Sequence, residues 1–191
     1  MATKTKTFNL AGVDIICNRI LTGKTKPSQG ETPFTSAVDD GHIASKRNII
    51  DVTAATRTMT AEESGSLVIF NKADGIVITL PALSAANIGL WYEFQINTSI
   101  TSNAAKWSTG TQGTDFFIGS LITADPDGAP AEATFVVSGN GSTHDNISMN
   151  GTTTGGLIGT KVKVTAISAT LWQVDGIMAA SGDTATPFAT S

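Results

Sequence analysis

The chain has 191 residues, enough for one domain with its own core plus an appendage. Charged residues are only 15% and aromatics 6%, with a formal net charge of −4 and a mean hydropathy of +0.09. Scattered Lys and Arg over an acidic body exclude a nucleic-acid binder, which needs a dense basic stripe with interleaved aromatics. No apolar run is long enough to span a membrane, and a single cysteine, Cys17, excludes an intrachain disulfide framework or a Cys-based zinc site. The abundance of Thr, Ser, Gly, Ala and β-branched residues over Leu, Lys and Glu favours strands and turns. So few charges suit a protein whose surface is partly covered by partners.

Charge is unevenly placed. Residues 1–57 hold eight basic against five acidic residues, while 58–191 hold four against eleven. A basic lead and an acidic body suit a partner with negative surface. Residues 1–12 read as frayed or extended, with no apolar run of the kind that marks a secretory signal. The run Val13 to Leu21 is a strand or a short helix, too short for periodicity to decide. Thr22 to Val38 carries Pro27, Pro33, Gly23 and Gly30 and reads as an extended arm or long loop. Asp39-Asp40-Gly41 is a turn, and Lys46 to Val52 leads into a body placed at 51–191. The arm, 1–50, offers Lys4, Lys6, Arg19, Lys24, Lys26, Lys46 and Arg47 as candidate contacts to a partner.

Thr60-Ala61-Glu62-Glu63 fits a capping box, which gives the adjacent glutamates a structural task instead of acid-base work. Ser66 to Phe70 is a strand. Asp74-Gly75 then predicts a hairpin back through Ile76, Ile78 and Leu80, which share one face, with Val77 and Thr79 on the other. Pro81 ends that strand, and Ser84 to Ile88 forms a short turn closed by Gly89. Trp91 to Ile96 alternates, with Tyr92, Phe94 and Ile96 facing the core. Asp115 to Ile122 reads as a strand pair or a bent strand around Gly119. Asp125-Pro126-Asp127-Gly128 is a turn that lacks the spacing of a calcium loop. Strands follow at Thr134–Ser138 and Asn146–Met149. The run Thr152 to Gly156 reads as too flexible for a core. Lys161–Ile167 and Leu171–Met178 form a hairpin through Ser168-Ala169-Thr170. The residues from Ser181 onward read as a loose tail.

No motif carries chemistry. His42 lies by a turn, and His144 next to Asp145 lacks a nucleophile. Gly139-x-Gly141 and Gly155-Gly156 are neither a phosphate loop nor a dinucleotide fingerprint. The sequons at Asn97, Asn140, Asn146 and Asn150 read as Thr/Ser-rich strand and loop composition. An enzyme is not expected, and no cofactor or metal is implied.

The order of elements resembles the decoration (cement) proteins of tailed-bacteriophage heads over about 51–188. It is carried by the Thr60 to Gly65 turn before a strand, Thr79-Leu80-Pro81, the aromatic strand Trp91 to Phe94, the Asn150 to Gly156 loop, and the Trp172 to Phe188 ending. The resemblance implies a β-rich virion protein, commonly a homotrimer, assembled in the host cytoplasm and bound to the major capsid protein on the capsid exterior. The expected fold is all-β, an antiparallel β-sandwich or barrel-like body with an extended N-terminal arm. Strands apolar on both faces imply a covering subunit, and Val68, Phe70, Val77 and Trp91 are the candidate interface residues. The alternative is a host-recognition or carbohydrate-binding knob, with Trp91 or Trp107 stacking on sugar.

Overall fold

The computed structural model describes residues 6–10, 13–17, 37–39, 42–44, 47–124, 136–181 and 183–191, with side chains described for 47–123, 137–181 and 183–191. The chain divides into two units, 1–46 and 47–191. In the first, β1 (Lys6–Leu10) pairs antiparallel with β2 (Val13–Cys17), Phe8 opposite Ile15. A second antiparallel pair joins β3 (Ala37–Asp39) to β4 (His42–Ala44), with Asp39 opposite His42. The start of the Val13 to Leu21 run is thus a strand. Of the stretch Thr22 to Val38, expected to be an extended arm or long loop, residues 22–36 lie outside the described residues.

The second unit begins at Arg47, a few residues before the boundary read from the sequence, because Ile49 already belongs to a sheet. Its strands are β5 (Ile49–Val52), β6 (Thr56–Thr58), β7 (Leu67–Phe70), β8 (Val77–Thr79), β9 (Trp91–Ile96) and β10 (Ala105–Ser108). They continue with β11 (Phe116–Ala124), β12 (Val136–Asn140), β13 (Asn146–Met149), β14 (Lys161–Ala166), β15 (Leu171–Ala179) and β16 (Phe188–Ala189). Two sheets face each other, one of seven strands in the order β12-β11-β15-β14-β9-β7-β5 and one of five in the order β16-β13-β10-β8-β6. Among the described residues the only helical segments are single 3-10 turns at Ala61–Glu63 and Ala85–Asn87.

The body is the expected all-β sandwich, but its pairing is mixed and not purely antiparallel. From β5 to β10 the chain alternates between sheets. It therefore returns to each sheet in the same direction, and β5, β7 and β9 lie parallel, as do β6, β8 and β10. This is a wound arrangement, in which a strand in the opposite sheet replaces the usual crossover helix. Two turns recur at the same place in successive windings. Thr60 to Gly65 leads into β7 and Ser84 to Gly89 leads into β9. Each passes through a 3-10 turn and ends on a glycine of positive φ.

Winding also corrects the predicted hairpin at Asp74-Gly75. The strands on either side do not pair with each other, since β7 belongs to the seven-stranded sheet and β8 to the five-stranded one. Glycine is still required there. Its φ is +81°, and a Cβ would stand 2.5 Å from the Ala104 carbonyl oxygen. The antiparallel hairpin β14–β15 forms as read, with Ala166 opposite Trp172.

The core fills the space between the sheets. Phe70 and Phe94 of the large sheet meet Trp107 of the small one, at 5.2 Å (stacked) and 5.8 Å (edge-on) between ring centroids. Tyr92 and Trp172 continue the cluster at 6.1 Å. The buried Tyr92 hydroxyl donates to the Thr60 carbonyl at 2.6 Å, and burial beside Glu63 and Glu62 pushes its pKa up to about 12.

Two segments read as loose are ordered. The Asn150 Oδ1 accepts from Thr152 N (2.9 Å), Thr152 Oγ1 (3.1 Å) and Thr154 N (3.1 Å), and Gly151, Gly155 and Gly156 are buried. At Gly151 a Cβ would fall 1.9 Å from the Ile100 carbonyl oxygen. The tail supplies β16, which pairs with β13 and buries Phe188. There Asp145 accepts from Ser191 N and Oγ, both at 2.8 Å, from Gly113 N at 3.0 Å and from Asn146 Nδ2 at 2.8 Å. Burial pushes the Asp145 carboxyl up, but these donors outweigh it and hold its pKa below the usual carboxylate value.

Candidate interaction surface

Alternation fixes what the large sheet shows to the outside, because every inward residue has an outward neighbour. One row across the outer face runs Ser120, Asp175, Lys163, Glu93, Leu67, Ile49, and the next runs Ile122, Ile177, Lys161, Gln95, Ile69, Asp51. Ile122 and Ile177 are directly opposed and 45% and 52% exposed. Ile49, 60% exposed on edge strand β5, lies against Leu67. Exposed isoleucines thus stand on both flanks, beside Asp175 on one and Asp51 on the other, and border a charged middle.

The middle is a paired network. Glu93 binds Lys161 from the neighbouring strand and the Arg47 Nη1 at 2.6 Å. Arg47 also donates through Nε to the Gly65 carbonyl (2.9 Å) and through Nη2 to the Ser66 carbonyl (3.1 Å). Its guanidinium carbon lies 4.9 Å from the Trp91 ring centroid, and Lys163 Nζ lies 5.2 Å from the same centroid. Burial pushes the Glu93 carboxyl up, but hydrogen bonds and charge from Lys161 and Arg47 outweigh it and hold its pKa below normal.

The residues singled out from the sequence fall in different places. Arg47, read as part of the arm, is a side chain of the body. Lys4, Arg19, Lys24, Lys26 and Lys46 lie outside the described residues, as does the Lys6 side chain. Val68 and Phe70 are corrected as interface candidates. Both are fully buried against the opposite sheet of the same chain, because the inward face of β7 starts at Val68. Val77 is half-buried on the outer face of the small sheet, and Trp91 is half-buried on that of the large one. The outward residues of β7, Leu67 and Ile69, are half-buried too, so its two apolar faces are one core face and one partly covered surface.

Trp107, a proposed sugar platform, is wholly buried on Phe70, and Trp91 is engaged by two cations. Glu63 accepts the Thr60 N–H at 2.9 Å, as the capping box requires, and also pairs with Arg57. His144 accepts the Asn140 N–H at 3.2 Å and stacks on Phe188. Asp125 to Gly128 lie outside the described residues. Among the described residues no group of three His, Cys, Asp or Glu side chains is placed to hold a metal, and no helix is long and apolar enough to cross a membrane. Alternation puts Lys161 and Lys163 on the outward side of their strand, but neither they nor the exposed isoleucines were named as contact candidates. Their signal lay in the outward period-two positions of β11, β14 and β15. Comparison with family models, with curated proteins and with solved structures finds no match for this chain.

Proposed function

We propose that the protein is a structural virion component of the decoration class, a homotrimer that binds the outer surface of a phage capsid through the major capsid protein and stabilises the shell. The observation that carries the proposal is the outer face of the seven-stranded sheet, where Ile49 at one end and Ile122 with Ile177 at the other flank an ion-paired network in which Glu93 is shared by Arg47 and Lys161. Apolar residues around satisfied polar groups suit burial against protein. A rigid sandwich suits a clamp, since a protein that binds only the assembled shell stabilises that shell by mass action. The resemblance of its order of turns and strands to that of decoration proteins supports the same reading.

Purified protein mixed with assembled shells and, separately, with unassembled capsid subunit tests it. Co-sedimentation with shells alone, and density for the protein on the outside of imaged particles, are expected. Equal binding to the free subunit, or none to shells, would overturn it.

A further inference from the structure

The chain contains two Asn-Gly steps, Asn140-Gly141 and Asn150-Gly151. This dipeptide is open to spontaneous cyclisation because glycine has no side chain to hinder attack. The glycine N–H gives up its proton and its nitrogen bonds to the asparagine Cγ. The Cγ–Nδ2 bond then breaks and ammonia leaves. Water opens the resulting imide to aspartate or isoaspartate.

The fold builds a similar cage around both steps. The Asn140 Oδ1 accepts from the backbone N–H groups of Ser142 (3.0 Å), Thr143 (2.9 Å) and His144 (3.3 Å), and Asn140 Nδ2 donates to Thr143 Oγ1 (2.6 Å). Ten residues on, Asn150 Oδ1 accepts from Thr152 and Thr154, and Asn150 Nδ2 donates to Thr153 Oγ1 (3.1 Å). Each asparagine N–H donates to the side chain four residues ahead, His144 Nδ1 in one loop and Thr154 Oγ1 in the other. The attacking atom is held as well. Gly141 N donates to the Phe117 carbonyl at 2.9 Å, and Gly151 N donates to the Gly155 carbonyl at 2.8 Å.

We propose that Asn140 and Asn150 are latent modification sites which the native fold keeps unreactive, so that isoaspartate forms there only in copies whose loops have opened. Two effects compete. The donors on Oδ1 polarise the Cγ carbonyl and favour attack, whereas the engaged glycine N–H keeps its proton and points its nitrogen at another acceptor. The second prevails, since no ring closes without that nitrogen.

The full-length protein, native or unfolded in urea, is incubated at mildly alkaline pH, and both sites are followed by peptide mass spectrometry with isoaspartate-specific fragmentation. Circular dichroism reports folding throughout. Reaction through rare opening predicts that each site is slower in the native protein by about tenfold or more. Thr154→Ala should quicken Asn150 by about fivefold and leave Asn140 unchanged, because it removes one hydrogen bond from one cage. Thr143→Ala should do the reverse. Equal native and unfolded rates at either site would overturn the proposal, as would a variant that leaves its own site unchanged or quickens both alike. If a variant does not fold, the comparison of native and urea-unfolded wild-type protein decides.

Discussion

Phe70 and Trp107 stack across the two sheets with centroids 5.2 Å apart and planes 20° from parallel. Both are fully buried, and they are the point where successive windings of the chain meet. Phe70→Ala should cost about 3–5 kcal/mol, the range for removing a large core aromatic. Urea unfolding followed by circular dichroism measures it. A loss under about 1 kcal/mol would show that the stack is not a principal contact between the sheets.

Arg47 acts through several weak contacts on a partly exposed surface, with 32% of its side chain accessible. Arg47→Ala should cost about 1 kcal/mol, and less in high salt, since exposed ion pairs are screened. Arg47→Lys should restore part of the pairing with Glu93 but not the two carbonyl contacts, because an ammonium lacks the planar fork. Thermal melts at two salt concentrations separate these terms.

Two carboxylates contribute to stability on the acid side. Asp145 and Glu93 both have folded pKa values below their ordinary ones. Each therefore binds its proton more weakly when folded. Their contribution is fully present above the ordinary carboxylate range and is lost as pH falls through the folded values. Asp145→Asn should cost about 1–3 kcal/mol at neutral pH by spoiling a buried acceptor, and should flatten the loss of stability on acidification. Denaturation midpoints across the acid range check both parts.

How much of this was legible follows from how local each signal is. Strict alternation gave β9 and the β14–β15 hairpin, because one wet and one dry face impose a period of two. The capping glutamate was legible because Thr60 and Glu63 lie one turn apart. Parallel winding was not legible. A glycine of positive φ at Gly75 serves an arch between sheets as well as a hairpin, and only the partner strands distinguish the two. The Asn150 loop misled for a related reason, since threonine and glycine read as flexible until Asn150 gathers the Thr152 and Thr154 amides. The outer face was half legible. Trp91 stood out by its size, whereas alternation gave Ile177 only an outward position, and its apolar neighbour Ile122 is set beside it by the parallel pairing with β11.

Backbone demands separate two glycines. At Gly151, with φ +81° and no room for a Cβ, substitution by alanine should cost about 3 kcal/mol or more. At Gly113, with φ +76° and nothing within 4 Å, the same change should cost only about 1 kcal/mol. Chemical denaturation of the two variants side by side gives the difference.

Ile177→Lys alters the proposed contact surface without touching the core. It should abolish co-sedimentation with shells while shifting the melting temperature by no more than a few degrees, as surface changes do. Retained binding would move the contact away from this face.

The alternation of β5 to β10 between sheets has a further consequence. A segment built this way lengthens by addition, since each lap around the core rests mainly on the lap before it. Because Thr60 to Gly65 and Ser84 to Gly89 occupy equivalent places, a tandem copy of residues 60–83 would supply one more complete lap, with its own turn and two strands. Gene duplication or deliberate insertion at that point offers a way to widen the body by a fixed increment and leave β11 to β16 as they are.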